Sequence, residues 1–255
     1  MGNLMHRLFA FGCSFTQFYW PTWADILGHS YDYFENWGLV GAGNLYISSA
    51  VAEASVRHNF TKDDTIMIMW SNVMREDRYT DRWLNVGSIY NQNIYNKEFV
   101  RDFVTIRGCY IRDLAQIQLT TQLLENIGCN YEYMSMVDLT NPNQYENLDA
   151  SEMIEDSLNL YKNTLDKFKP SVHKTVFNND WYSRKINGKT RVDLHSTPLE
   201  HLEYLDKVLP NSVDISTRQW VEKVNTDVLN FLKDNDKVYT YNGWNNTSNL
   251  PKHRL

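Results

Sequence analysis

Short apolar runs that stop at glycine or at a small polar residue recur along the first half of this chain. Residues 8–11 read LFAF and stop at a glycine, and residues 65–70 read TIMIMW and stop at a serine. Apolar runs without alternation are typical of parallel strands that are buried on both faces. Together with weaker aromatic runs at residues 31–37 and 131–136, they predict a mostly parallel sheet.

Between and after these runs, several segments have apolar residues at helical spacing. We predict helices at residues 46–58, 111–127, 199–209 and 216–232. Alternation of strands and helices is typical of an α/β fold in which helices cover both faces of the sheet. Residues 170–190 show no regular pattern, and we predict an irregular segment there.

The 255 residues are enough for one α/β domain, and no linker or internal repeat divides them. We therefore predict a single domain, residues 1–255, with a three-layer α/β/α architecture. The pattern fades at about residues 73–110, which we interpret as an aromatic-rich insertion that forms a lid or a wall of a substrate site. Arg75 and Arg78 begin this stretch and could face an anionic substrate, although a solvated surface pair is the simpler expectation.

Charge and cysteine usage narrow the class of protein. The formal net charge of −6 argues against nucleic-acid and anionic-membrane partners. The apolar run near the N-terminus is too short for an export signal or a membrane span, so we expect a cytoplasmic protein.

Cys13, Cys109 and Cys129 have neither disulfide nor zinc spacing, and we expect Cys13 and Cys129 to be buried thiols. The histidines form no HExxH pattern, so we expect no metal and no cofactor. The oligomeric state stays open.

Ser14 follows directly after the first predicted strand. Ligand and reaction sites of α/β sheets lie beyond the carboxyl ends of the strands, which is where a nucleophile would stand. A serine in a glycine turn is also a common structural feature, bonded only to nearby backbone.

Asp193 and His195 supply possible partners for this serine. A serine hydroxyl needs a base to take its proton, and an imidazole titrates in the right range. A carboxylate on the other ring nitrogen would hold the tautomer and stabilise the imidazolium. The alternative is that Asp193 and His195 only shape the turn before Pro198.

Four blocks in this order carry a resemblance to a known family: FGCSFT at 11–16, NWGLVG at 36–41, WSN at 70–72 and DLHSTP at 193–198. With these blocks the chain resembles the SGNH hydrolases, also called GDSL-type esterases. The variety that it resembles most has the motif GCSFT and is common in marine bacteria and phages. If a phage encodes the chain, a location in the virion or the host cytoplasm is implied.

The resemblance implies a flavodoxin-like three-layer fold and a serine esterase that works through an acyl-enzyme. Carried over position by position, it implies catalytic Ser14, Asp193 and His195, and an oxyanion hole made by Ser14, Gly41 and Asn72. The substrates implied are small O-acyl esters. The 16 Tyr and 8 Trp favour an acylated glycan as substrate, because their rings suit sugar surfaces.

The chain departs from the family pattern at three places. Cys13 replaces the usual aspartate beside the serine, and Val73 replaces the acid after Asn72. One residue instead of two separates Asp193 from His195. The last two departures and the long aromatic insertion keep one alternative open, a non-catalytic glycan-binding or virion structural module with the same fold. A sugar O-acyltransferase, which would use the same residues and differ only in the acceptor, is a further alternative.

Overall fold

A computed structural model describes most of the chain. The described residues are 5–91, 93–141, 151–178, 185–186, 189–190, 195–235, 238–244 and 248–249. The strands are β1 (Arg7–Gly12), β2 (Tyr33–Asn36), β3 (Thr65–Trp70), β4 (Arg75–Tyr79), β5 (Trp83–Ser88), β6 (Asn130–Ser135), β7 (Lys185–Ile186) and β8 (Lys189–Thr190). The helices are α1 (Trp23–Gly28), α2 (Asn44–His58), α3 (Lys97–Phe103), α4 (Ile106–Ile127), α5 (Ser151–Leu160), α6 (Lys162–Leu165), α7 (Val172–Val176), α8 (Pro198–Val208) and α9 (Ile215–Asp234), with a 3-10 turn at Val238–Thr240.

A parallel sheet with the strand order β2-β1-β3-β6 forms the centre of the molecule. This order, with β1 between β2 and β3, is the flavodoxin-like order. The register pairs Gly12 with Met69 and Trp70 with Ser135, so the carboxyl ends of β1, β3 and β6 lie side by side. β1 and β3 are interior strands, which explains why their apolar runs do not alternate.

Helices cover both faces of this sheet. α2 packs against α4, whereas α8 packs against α1, α7 and α9. α1 connects β1 to β2 in one direction across the sheet, and α2 connects β2 to β3 in the opposite direction. Because such crossovers are right-handed, α1 and α2 lie on opposite faces. The predicted three-layer α/β/α architecture with a mostly parallel sheet is therefore confirmed.

Side-chain caps explain where the helix boundaries differ from the predictions. Residues 65–70 form a strand as predicted, but α4 begins at Ile106, five residues before the predicted position 111. The hydroxyl of Thr105 caps it by accepting the N–H of Gly108 at 3.0 Å. The C-terminal end agrees with the prediction, because Gly128 terminates the helix with a φ of +79°.

The prediction of an irregular segment at residues 170–190 is wrong in part. α7 lies within it, and Ser171 caps this helix by accepting the N–H of Lys174 at 3.2 Å. Val172 is fully buried under the cap, which holds so short a helix in place. β7 and β8 also lie within it and pair antiparallel.

Asp25 is a buried carboxyl group that connects α1 to the loop after β1. It accepts the backbone N–H of Thr22 at 2.9 Å in a capping box, and the side-chain amide of Asn36 at 3.3 Å. Thr22 in turn donates its hydroxyl to the carbonyl oxygen of Thr16. Burial raises the pKa of Asp25 to about 6, against the effect of these hydrogen bonds.

Asp25 should make the stability of the protein fall as pH rises. Its pKa is higher in the folded than in the unfolded chain, so its stabilising contribution is complete only below about pH 4 and is lost as pH rises from there through about 6. The loss is on the order of 3 kcal/mol. Urea unfolding of the wild type and of Asp25→Asn measures this effect. Between about pH 4 and pH 6, the free energy of unfolding of the wild type should fall by this amount relative to that of the variant. A difference that does not change with pH would contradict the prediction.

Within the described ranges, no helix is long and apolar enough to cross a membrane.

Candidate active site

Ser14 lies directly beyond the carboxyl end of β1. The backbone N–H groups of Thr16 and Gln17 both point to the carbonyl oxygen of Cys13, at 2.9 and 3.1 Å. These bonds close a tight turn with Ser14 at its start. Ser14 is only 2% exposed, so the residue lies below the protein surface at this edge of the sheet.

Gly12 brings three chain segments together at this edge. A Cβ at Gly12 would lie 2.8 Å from the carbonyl oxygen of Met69, which shows how closely β1 and β3 approach there. The carbonyl oxygen of Gly12 accepts the N–H of Leu39 at 3.0 Å. The end of β1 thus contacts the end of β3 on one side and the glycine-rich loop after β2 on the other.

Gly41 occupies a position in that loop which no other residue fits without strain. Its φ is +81°, and a Cβ there would lie 2.6 Å from the carbonyl oxygen of Asn85 on β5. The start of the loop is held by Asn36, whose side-chain oxygen accepts the N–H of Gly38 at 3.0 Å. β4 and β5 pair antiparallel as a hairpin, and the loop is therefore packed between the end of β1 and this β4–β5 hairpin.

Asn72 follows β3 at the same edge of the sheet. Its side-chain oxygen accepts the backbone N–H of Met74 at 2.8 Å, as in an Asx turn. This bond identifies the oxygen end of the amide, and the other end, Nδ2, is a hydrogen-bond donor by its chemistry. A hydrogen-bond donor is the group that an oxyanion requires.

His195 reaches this edge from the far end of the chain. Its ring stacks on Phe18 with the centroids 3.9 Å apart, and its centroid lies 5.3 Å from that of Phe15. The carbonyl oxygen of Ser196, the next residue, accepts the indole N–H of Trp20 at 2.8 Å. The loop before α8 is thereby bound to the segment that directly follows Ser14.

The predicted site residues that the structure describes thus lie at one edge of the sheet. Ser14 and Asn72 follow adjacent parallel strands, the loop that carries Gly41 is bonded to the end of β1, and His195 packs on the residue after Ser14. Asp193 lies outside the described residues. Their catalytic roles remain predictions.

Cys13, the residue before Ser14, has its thiol near a second sulfur atom, which in turn lies near a guanidinium group. The thiol of Cys13 is fully buried and lies 4.0 Å from the sulfur of Met136, and Cys129 is buried too, so both thiols are in the predicted environment. Arg75 lies 3.6 Å from the same sulfur and donates to the carbonyl oxygen of Ala42 at 3.1 Å. The expectation of a solvated arginine pair is therefore wrong for Arg75, which is half-buried; its companion at position 78 is exposed.

Asp77 is a site-building residue that sequence reasoning missed. Its buried carboxylate accepts the N–H of Gly43 at 2.8 Å and that of Tyr46 at 2.9 Å, so it caps α2 from β4. Burial raises the pKa of Asp77, and these two donors oppose the rise. A cap is normally sought in the residue just before the helix, but that residue here is a glycine. The carboxylate comes from 34 residues further along the chain and leaves no local signal.

No group of three or more His, Cys, Asp and Glu side chains that could hold a metal ion occurs in the part of the chain that the structure describes.

No protein-family model and no curated protein matches the chain. Among solved structures, an acetylxylan esterase from Geobacillus stearothermophilus is 13% identical over 84% of this chain and 98% of its own, with a TM-score of 0.47. A member of the lipolytic G-D-S-L family from Veillonella parvula is 13% identical over 81% and 97%, with a TM-score of 0.46. A GDSL-like lipase from Bacteroides thetaiotaomicron is 14% identical over 85% and 88%, with a TM-score of 0.41. At such values these likenesses assign no activity to this chain.

Proposed function

We propose that this protein is a serine esterase that hydrolyses small O-acyl esters carried by carbohydrate. The observation that carries the proposal is the position of His195, whose ring packs on Phe15 and stacks on Phe18. A histidine from the far end of the chain is thereby held next to the serine turn, at the sheet edge where Gly41 and Asn72 also lie. This is the set of groups that acyl transfer requires.

Each group has one task in the proposed reaction. The imidazole of His195 takes the proton of the Ser14 hydroxyl as its oxygen attacks the ester carbonyl, and later gives that proton to the leaving alcohol. The N–H groups of Ser14 and Gly41 and the Nδ2 of Asn72 donate to the oxyanion of the tetrahedral intermediate. Water then repeats the sequence on the acyl-enzyme and releases the acid.

Two features of this edge support a sugar as the alcohol. Tyr19 is 38% exposed, and its ring packs edge-on against Phe18. The ring of Phe18 in turn stacks on His195. An exposed tyrosine that is separated from the base by one aromatic ring offers a flat apolar face and a hydroxyl, as sugar rings require. Both polar atoms of the Asn85 amide are buried and lack a hydrogen-bond partner among the described residues. Such groups are satisfied by water or by a polar ligand.

One observation favours the non-catalytic alternative. Ser14 is only 2% exposed, and a carbonyl carbon must come within bonding distance of its oxygen. A glycan-binding or virion module could keep such a serine as a turn residue alone. An O-acyltransferase would use the same groups as the esterase and would differ only in taking a sugar hydroxyl instead of water.

A fluorophosphonate probe should label the wild-type protein at Ser14, because it reacts with a serine only where a base and an oxyanion site activate it. Labelling should be lost in Ser14→Ala and retained in the matched variant Ser49→Ala. Ser49 is a helical serine that donates to the carbonyl oxygen of Leu45 at 2.8 Å. A wild type that is not labelled would favour the binding module, and a labelled Ser14→Ala would place the nucleophile elsewhere.

A further inference from the structure

Asn44 joins the two loops that carry the oxyanion donors. It is the first residue of α2 and is fully buried, three positions after Gly41. Its side-chain oxygen accepts the N–H of Ser71 at 2.7 Å, and its Nδ2 donates to the carbonyl oxygen of the same residue at 3.1 Å. Ser71 directly precedes Asn72. One amide therefore binds both backbone groups of the residue next to the donor.

The Asn44 amide replaces a missing strand partner. β1 ends at Gly12, so nothing in β1 pairs with the backbone of Ser71 beyond the end of β3. A side-chain amide has a donor and an acceptor at the spacing of a peptide group, and it continues the ladder by one residue. Only one orientation of the amide works, because a flipped one would bring Nδ2 against the N–H of Ser71.

A carboxylate on α4 fixes that orientation. The second hydrogen of Nδ2 is donated to Asp113 at 2.6 Å, and Asp113 also accepts from the guanidinium of Arg112 at 2.7 Å. Burial raises the pKa of Asp113 to about 7, and Arg112 opposes the rise. Asp77 holds the other side of the same helix end through Gly43. The start of α2 is thus fixed to α4 and to β4.

We infer that Asn44 is a positioning residue that sets the distance between the oxyanion donors of Gly41 and Asn72. The inference rests on the proposed esterase function. Gly41 moves with the start of α2, and Asn72 moves with Ser71. The side chain of Asn44 belongs to the start of α2 and binds Ser71. It touches no substrate and acts only through these donors.

Kinetics of a short-chain aryl ester, 4-nitrophenyl acetate, test this role. Asn44→Ala should lower kcat by about 10- to 100-fold and leave KM within about 2-fold, because displaced donors fail mainly in the transition state. In an Asn72→Ala background, where one of the donors is already gone, the same change should lower kcat by no more than about 5-fold. Asn44→Ser, which keeps a hydroxyl at the position, should give an intermediate loss and serves if the alanine variant does not fold.

The control separates positioning from loss of stability. Thr121→Val removes two other buried hydrogen bonds, one at 2.9 Å to the hydroxyl of Tyr133 and one at 2.8 Å to the carbonyl oxygen of Ile117. It should lower the midpoint of thermal unfolding without changing kcat. An unchanged kcat in Asn44→Ala, or equal losses with and without Asn72, would overturn the inference. A wild type that neither hydrolyses the ester nor reacts with the fluorophosphonate would instead overturn the proposed function and the inference with it.

Discussion

His195→Ala should reduce kcat/KM for 4-nitrophenyl acetate by about 10,000-fold or more, and Ser14→Ala should do the same. Without the imidazole, the serine proton has no acceptor as the hydroxyl attacks, and the leaving alcohol receives no proton. Because the two residues act as one unit, the double variant should be no slower than either single variant. Initial rates on folded protein, compared with the rate of the ester in buffer, measure all three.

His201 supplies the matched control for this experiment. It is 1% exposed, and its ring centroid lies 6.3 Å from that of Phe15, the same ring that His195 contacts. His201→Gln changes a histidine in the same aromatic cluster that has no assigned role in the reaction. It should keep kcat within a few-fold of the wild type at a temperature below its unfolding transition. Equal losses in the two histidine variants would mean that packing of the cluster, and not a base, is what the reaction needs.

The strands and the edge at which they end could be predicted from sequence because their signals are local. Residues 66–70 of β3 are all apolar, since β3 has a strand on each side and helices above and below. Gly12 and Gly41 mark positions where only a missing side chain permits the close approach of neighbouring backbone. Such features depend on the size and polarity of single residues, which can be read directly from the sequence.

The contacts that hold the candidate site together could not be predicted, because each joins residues far apart in the chain. Asn44 is an ordinary residue for a helix start, and only the fold shows that its amide binds Ser71, 27 residues away. Asp77 lies in the stretch that the sequence pattern led us to interpret as a lid or a wall of a substrate site, and nothing local indicates that its carboxylate caps α2. The position of His195 next to the turn that carries Ser14 depends in the same way on Phe15 and Phe18, whose aromatic character alone did not identify them as its support.

Asp193 is the candidate site residue whose role depends most on local geometry. A triad carboxylate binds the ring nitrogen that does not face the serine, holds the tautomer and stabilises the imidazolium. Only Leu194 separates Asp193 from His195. In an extended segment, residues at this spacing place their side chains on the same side, which favours a contact. A turn at Leu194 would direct the carboxylate elsewhere and leave another acceptor for the imidazole N–H.

Asp193→Asn should therefore lower kcat by at least about 100-fold and change KM little, because the charge that the carboxylate stabilises develops only during the reaction. Asparagine has nearly the same shape, so a loss of this size reports charge and tautomer rather than packing. Asp214→Asn, at the exposed N-cap of α9, is the matched control and should leave kcat unchanged. If Asp193→Asn keeps the kcat of the wild type while Ser14→Ala and His195→Ala are inactive, the site is a Ser-His dyad, and Asp193 only shapes its loop.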